Sequence, residues 1–312
     1  MADNRPPLVV IAGPTASGKS ALALALSRLT PATIVNADAS QVYADLRVIS
    51  ARPGAAEEAE TPHALFGHVD GARAYSAAEW AADAKAAIAE AHKAERLPIL
   101  VGGTGLYIRT LLDGIAPVPD IDPAVREAVR SLDVAEAYAA LEAEDRAAAA
   151  RLNPADKTRI ARALEVVRST GRPLAEWQKR REGGIGDAAR IVPMILLPPR
   201  DWLRARIAER TARIVADGVE EAKALCERQD IPPEMPVRKA IGVPEMTRFV
   251  RGEIDEIETR RALDLATGQY AKRQYTWFRH QPPPDWRRHT AQLDKAGIDQ
   301  LAIKLHEMTL TA

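Results

Sequence analysis

The sequence predicts an α/β fold, a phosphate-loop-type parallel sheet core flanked by helices, with an all-helical lobe inserted into it. Three observations lead there. An apolar run, Leu8 to Ala12, ends in the glycine-rich turn GPTASGKS and opens onto the alanine- and leucine-rich Ala21 to Leu29. Further short apolar runs recur at 32–37, 97–101 and 191–197, with helical patterns between them. Between 122 and 178 the chain is instead rich in alanine, arginine and glutamate and carries no strand signal. Residues 1–117 with 187–312 are therefore expected to form the phosphate-loop core, and 118–186 the inserted lobe.

The first element is the most informative. Gly13, Pro14, Thr15, Ala16, Ser17, Gly18, Lys19 and Ser20 match G-x-x-x-x-G-K-[ST] in full. Gly13 and Gly18 let successive amides turn inward, and the helix that follows adds its unpaired N–H groups and positive dipole end. Lys19 reaches outer phosphate oxygens as a point charge, and the Ser20 hydroxyl is placed to touch a magnesium ion held between two phosphates. The loop predicts a bound diphosphate or triphosphate. It does not distinguish ATP from another polyphosphate, and it names no reaction.

Thr30-Pro31 stops the first helix, and Ala32 to Ala37 is a second strand ending in Asp38. Ligands of open parallel sheets sit beyond the carboxyl ends of the strands, so Asp38 is a candidate base facing the phosphate crevice. It equally suits capping a following helix. Arg47 to Asp70, with Pro53, Gly54, Pro62 and Gly67, reads as surface loops with one short strand, and His63 and His68 have no metal-ligand pattern. A capping box of Ser76 and Glu79 opens a helix to Glu95. The strand Leu97 to Val101 ends not in an acidic residue but in Gly102-Gly103-Thr104-Gly105, whose glycines are expected to admit a ligand close to the backbone. Thr104 fits either a hydroxyl in the crevice or the cap of the helix from Leu106 to Leu112.

In the inserted lobe Arg159 and Arg162 share a helix face, a pattern open to nucleic-acid contact or to plain solvation. After the strand Ile191 to Leu197, a helix from Asp201 carries Arg206, Arg210 and Arg213 at spacings of four and three. One or more of these points back over the phosphate loop, or they pair with Glu209 and neighbouring acids. Further on, QYAKRQYTWFRH at 269–280 interleaves four aromatic rings with cations. Such a pattern stacks unpaired bases and holds phosphates, or it buries its rings and lets the cations snorkel. Pro282-Pro283-Pro284 ends that helix, Trp286 begins a short strand, and Gly297 to Thr309 closes the chain as a helix.

Composition sets outer limits. Lys plus Arg and Asp plus Glu number 43 each in 312 residues, so a nucleic-acid site must be a local basic surface. The single cysteine, Cys226, rules out an intramolecular disulfide and fits a reducing compartment. No apolar run approaches a membrane span, and a cytoplasmic monomer without membrane contact is expected.

Taken in order, GPTASGKS at 13–20, DASQ at 38–41, Pro62-His63, YSAAEW at 75–80, LVGGTGLY at 100–107, RALEV at 162–166, AIG at 240–242 and KRQYTWFR at 272–279 resemble the tRNA dimethylallyltransferase family across nearly the whole chain. The resemblance implies transfer of a dimethylallyl group from dimethylallyl diphosphate, with Mg²⁺, to N6 of adenosine 37 beside the anticodon, in tRNAs reading codons that start with U. It implies Asp38 as the base. It places Thr15 to Ser20, Thr104 and Arg210 around the diphosphate, and Asp38, Ala39, Ser40, Gln41 and Thr104 at the target base. For the tRNA anticodon stem-loop it implies contacts from Arg126, Thr158, Arg159, Ile160, Ala161, Arg162, Lys239, Ala240, Ile241, Gly242, Lys272, Arg273, Gln274, Trp277 and Arg279. Val243 and Pro244 depart from the tyrosine and basic residue the family often has there. Two other readings remain open: a prenyltransferase or kinase acting on a free adenine nucleotide, and a non-catalytic RNA-binding module.

Overall fold

The computed structural model describes residues 4–311. The described residues divide into two compact units, 4–112 with 185–311, and 113–184.

The first unit is built on strand β1 (Pro7–Ala12), helix α1 (Lys19–Ser27), β2 (Ala32–Asn36), α2 (Ala55–Glu60), β3 (His63–Ala64), α3 (Ala77–Lys93), β4 (Leu97–Gly102) and α4 (Gly105–Asp113). The second unit holds five helices, α5 (Pro123–Ser131), α6 (Val134–Glu144), α7 (Arg146–Ala149), α8 (Lys157–Thr170) and α9 (Leu174–Trp177). The chain returns to the first unit through β5 (Arg190–Leu196), α10 (Arg200–Asp217), α11 (Val219–Glu227), a 3₁₀ turn (Pro236–Lys239), α12 (Val243–Val250), α13 (Glu256–His280), β6 (Arg287–His289) and α14 (Lys295–Leu310).

All six strands are parallel, in the order β3-β2-β4-β1-β5-β6. Alternation in β1 explains how both faces of the sheet are covered. Leu8 and Val10 pack on one face with Trp80, Ala84 and Ile108, while Val9 and Ile11 pack on the other with Leu22, Leu26 and Leu305. Trp80 is fully buried, stacks on Tyr107 at 4.4 Å and donates its Nε1 to the Asn36 carbonyl at 2.9 Å. Truncating so large an anchor would cost about 3–5 kcal/mol.

The stretch 47–70, expected to be loops with one strand, also contains α2, six residues with no buried side chain, whose first turn is closed by the Glu57 carboxylate on the Gly54 N–H at 2.8 Å. No apolar face announces a helix that short and exposed. The second unit has its own core of Val129, Leu141, Ile160 and Leu164. Among the described residues no helix is long and apolar enough to cross a membrane.

Candidate active site

The loop after β1, the turn after β2, the Gly102–Thr104 bend after β4 and the helix after β5 all lie at the carboxyl ends of parallel strands. They enclose a cleft of about 380 Å³ lined by Thr15 to Ala21, Asp38, Gln41, Glu57, Arg206, Arg210 and Arg213, among others. Asp38 and Lys19 thus face one space.

The phosphate loop takes its curl from Gly18 at φ 96° and from Ala16, a non-glycine residue at φ 61°. Arg206 Nε donates to the Ala16 carbonyl at 3.0 Å and its guanidinium lies 4.7 Å over the Trp202 ring. Lys19 Nζ donates to the Pro14 carbonyl at 2.7 Å. Burial lowers the Lys19 pKa to about 8; the nearby Asp38 carboxylate opposes that shift and Arg210 adds to it. Arg210 is pulled below its ordinary value, first by burial and then by Arg213, against Asp38. Its Nη2 donates to the Ser50 carbonyl at 2.8 Å, the same oxygen that accepts Gln41 Nε2 at 3.1 Å. All three arginines of α10 line the cleft, and Arg213 bonds the Glu209 carbonyl, not its carboxylate.

Asp38 caps no helix. Residues 38–50 are turns, and Asp38 Oδ1 accepts the Ser40 N–H at 2.9 Å while Asn36 Oδ1 accepts the Asp38 N–H at 2.8 Å. These local bonds fix the carboxylate at the mouth of β2. Thr104 Oγ1 accepts the Ala39 N–H at 2.9 Å and so ties the turn after β2 to the bend after β4.

The glycines of that bend are places of close approach within the protein. A Cβ on Gly102 would sit 2.1 Å from the Ala37 carbonyl oxygen, one on Gly103 2.1 Å from Gln274 Nε2, and one on Gly105 2.4 Å from the Trp277 ring. All three make room for neighbouring protein, and Gly102 also lines the cleft.

Several residues expected at RNA have buried side chains. Gln274 is 4% exposed: its Oε1 accepts the Thr15 N–H and its Nε2 donates to the Gly103 carbonyl, both at 2.8 Å. Ile160 and Ala161 belong to the core of the second unit, and Ala240 and Gly242 are buried, so none of the four offers a side chain to a partner. Phe278 is fully buried, so the buried-ring reading of 269–280 holds for it, while Trp277 is half-buried against Gly105 and lines a surface pocket with Lys272 and Arg273. Tyr275 is half-buried under Arg200 and bonds the Leu197 carbonyl. Lys272, Arg273 and Arg279 are exposed on α13, Lys239 is exposed beside the half-buried Ile241, and Ala39 and Ser40 are half-buried in the turn after Asp38. In the second unit Arg126, Thr158, Arg159 and Arg162 are exposed, the last three around one pocket of about 400 Å³. Val243, 2% exposed, points into the core, and Pro244 stands in the first turn of α12.

Arg206 and Gln274 are what the sequence did not assign to the cradle. The first had a signal, its spacing from Arg210; the second had none, because its partners lie 171 and 259 residues away.

The family model described as IPP transferase matches residues 41–281. A tRNA dimethylallyltransferase of Sphingopyxis alaskensis is 60% identical over 306 residues, 97% of this chain and all of the relative. One of Erythrobacter litoralis is 55% identical over 91% of this chain and 92% of the relative. Among solved structures, the full-length tRNA isopentenylpyrophosphate transferase of Bacillus halodurans superposes with a TM-score of 0.68 at 29% identity, covering 98% of this chain and 96% of that one. A eukaryotic dimethylallyltransferase acting on tRNA gives 0.75 at 25% identity, covering 87% and 69%.

Proposed function

The chain belongs to the IPP transferase family of tRNA-modifying prenyltransferases, and on that premise we propose that it moves a dimethylallyl group from dimethylallyl diphosphate to N6 of adenosine 37 in tRNAs reading codons that start with U. The observation that carries the residue assignments is the single cleft shared by the phosphate loop, Arg210 and the Asp38 carboxylate.

In this reading the allylic carbon–oxygen bond breaks, the N6–carbon bond forms, diphosphate leaves and one N6 proton passes to Asp38. Negative charge grows on the leaving oxygens, where the loop amides, Lys19, Arg206 and Arg210 stabilise it. The adenine amine is a weak nucleophile because its lone pair is delocalised into the ring, so it must be oriented as well as deprotonated. The base of a stacked anticodon loop must first be turned out into the cleft. Exposed cations on α8 and α13 (Arg159, Arg162, Lys272, Arg273 and Arg279) are assigned to phosphates of that stem-loop.

Ser20 is exposed on the first turn of α1 and offers a hard oxygen into the cleft. Among the described residues no cluster of three or more His, Cys, Asp or Glu makes a protein-only metal cage. Ser20 and the donor's phosphate oxygens are therefore the ligands assigned to magnesium, which when bound neutralises charge on the departing diphosphate. The enzyme is read as a cytosolic monomer.

Mass analysis of nucleosides from tRNA incubated with the protein, dimethylallyl diphosphate and Mg²⁺ tests the reading, with AMP as a parallel acceptor. Prenyladenosine in the tRNA digest is expected. Prenyl transfer to AMP at an equal rate would favour the free-nucleotide alternative.

A further inference from the structure

The cradle contains one peptide group held from both ends. Pro14 C=O and Thr15 N–H belong to the same trans peptide plane and point in opposite directions. The carbonyl accepts Lys19 Nζ at 2.7 Å, and the N–H donates to Gln274 Oε1 at 2.8 Å. Gln274 has no freedom to swap its amide ends, since Nε2 must face the Gly103 carbonyl, also at 2.8 Å. Its surroundings are closed: the side chain is buried, and Gly103 has to lack a Cβ to make room for it.

From this we infer that Gln274 is a positioning residue for Lys19, acting through the 14–15 peptide. The mechanism is geometric. With the N–H anchored, the plane cannot rotate, so its carbonyl stays where it directs the Lys19 ammonium into the cleft. Without the anchor the peptide is free to turn, which releases the Lys19 ammonium from its acceptor and from the direction that acceptor gives it. A residue on the distant helix α13 thereby sets the charge position in the loop after β1. The inference rests on the cradle binding diphosphate.

The test uses the full-length chain and inorganic pyrophosphate as probe, titrated calorimetrically, alongside filter binding of an anticodon stem-loop. Gln274→Met keeps the volume and removes both hydrogen bonds. It is expected to weaken pyrophosphate about ten-fold, in keeping with one lost buried hydrogen bond, with stem-loop affinity within about two-fold of wild type. In a Lys19→Ala background the same substitution is expected to add nothing, because its effect passes through Lys19. An equal ten-fold loss in both backgrounds, or no loss in either, overturns the inference. Should Gln274→Met not fold, Gln274→Asn, which keeps the amide but cannot reach both partners, is held to the same criteria. Wild-type protein that binds no pyrophosphate would instead remove the diphosphate reading itself, and the inference with it.

Discussion

The cations of the phosphate cleft and those of the helical unit are held in opposite ways. In the cleft, Lys19, Arg206, Arg210 and Arg213 donate to main-chain carbonyls, those of Pro14, Ala16, Ser50 and Glu209. A carbonyl satisfies a donor but leaves the positive charge in place. In the helical unit the arginines sit against carboxylates: Arg130 on Glu165 at 3.0 Å, Arg159 on Asp156 at 3.5 Å, Arg162 on Glu165 at 3.9 Å and Arg168 on Glu144 at 2.7 Å. The first arrangement concentrates charge for one small, highly charged ligand. The second holds exposed arms that a polyanion can capture: the Arg159–Asp156 and Arg168–Glu144 pairs, partly exposed on both sides, are worth about 0–1 kcal/mol each, whereas Arg130 and Arg162 share the buried Glu165.

The sharpest way to break this comparison is to remove the acid from the cleft. Asp38→Ala is expected to lower kcat for prenyl transfer about a thousand-fold while tRNA affinity stays near wild type. Single-turnover assays with filter binding separate the two, and a variant that keeps transferring would show that the N6 proton goes elsewhere. Arg210→Ala should follow at about a hundred-fold in kcat/KM for the donor, since it removes a half-buried charge that lines the cleft and faces developing negative charge. If tRNA binding fell by the same factor, the cleft cations would not be reserved for diphosphate.

A pH titration sharpens the same point. Lys19, with its pKa lowered to about 8 by burial, is cationic below that value and loses its proton above it. The terminal phosphate of a diphosphate monoester finishes ionising near pH ~6, so the charge of dimethylallyl diphosphate, unlike that of inorganic pyrophosphate, is constant across this window. Affinity for dimethylallyl diphosphate should therefore be highest near pH 7, decline through pH 8 and be about ten-fold weaker by pH 9.5. Lys19→Ala should bind more weakly throughout and lose that inflection; an inflection that survives the substitution would belong to another group.

How much of this was legible beforehand follows from the range of the signals. The phosphate loop, the strand before Asp38 and the helix carrying Arg210 are local patterns, and each appears close to where the sequence puts it, with α1 starting two residues early at Lys19 and β4 running on to Gly102. Gly102 and Gly103 were legible as close approaches but not as to what approaches, because the answer, Ala37 and Gln274, is a tertiary contact. The same holds for 269–280. Alternating rings and cations fit two faces equally well in one dimension, and only packing against the core decides that Phe278 turns inward while Trp277 stays half-buried against Gly105. Ile160 and Ala161 lie inside a motif expected at RNA, yet helical periodicity already separates them from Arg159 and Arg162 on the exposed side.

That separation sets up the smallest expected effect. Arg159→Ala with Arg162→Ala removes two exposed cations without touching the core of Ile160 and Leu164. Each is paired at the long end of ion-pair range, so folding stability should change by less than about 1 kcal/mol. For RNA the two would release about one counterion each on contact, so the double variant should raise KM for tRNA a few-fold and flatten the slope of log affinity against log salt by about 1 to 2. The slope is the discriminating quantity, because a conformational defect would shift affinity at every salt concentration alike. An unchanged slope places these arginines away from the RNA backbone, and the carboxylates beside them would then be lasting partners and not exchangeable ones.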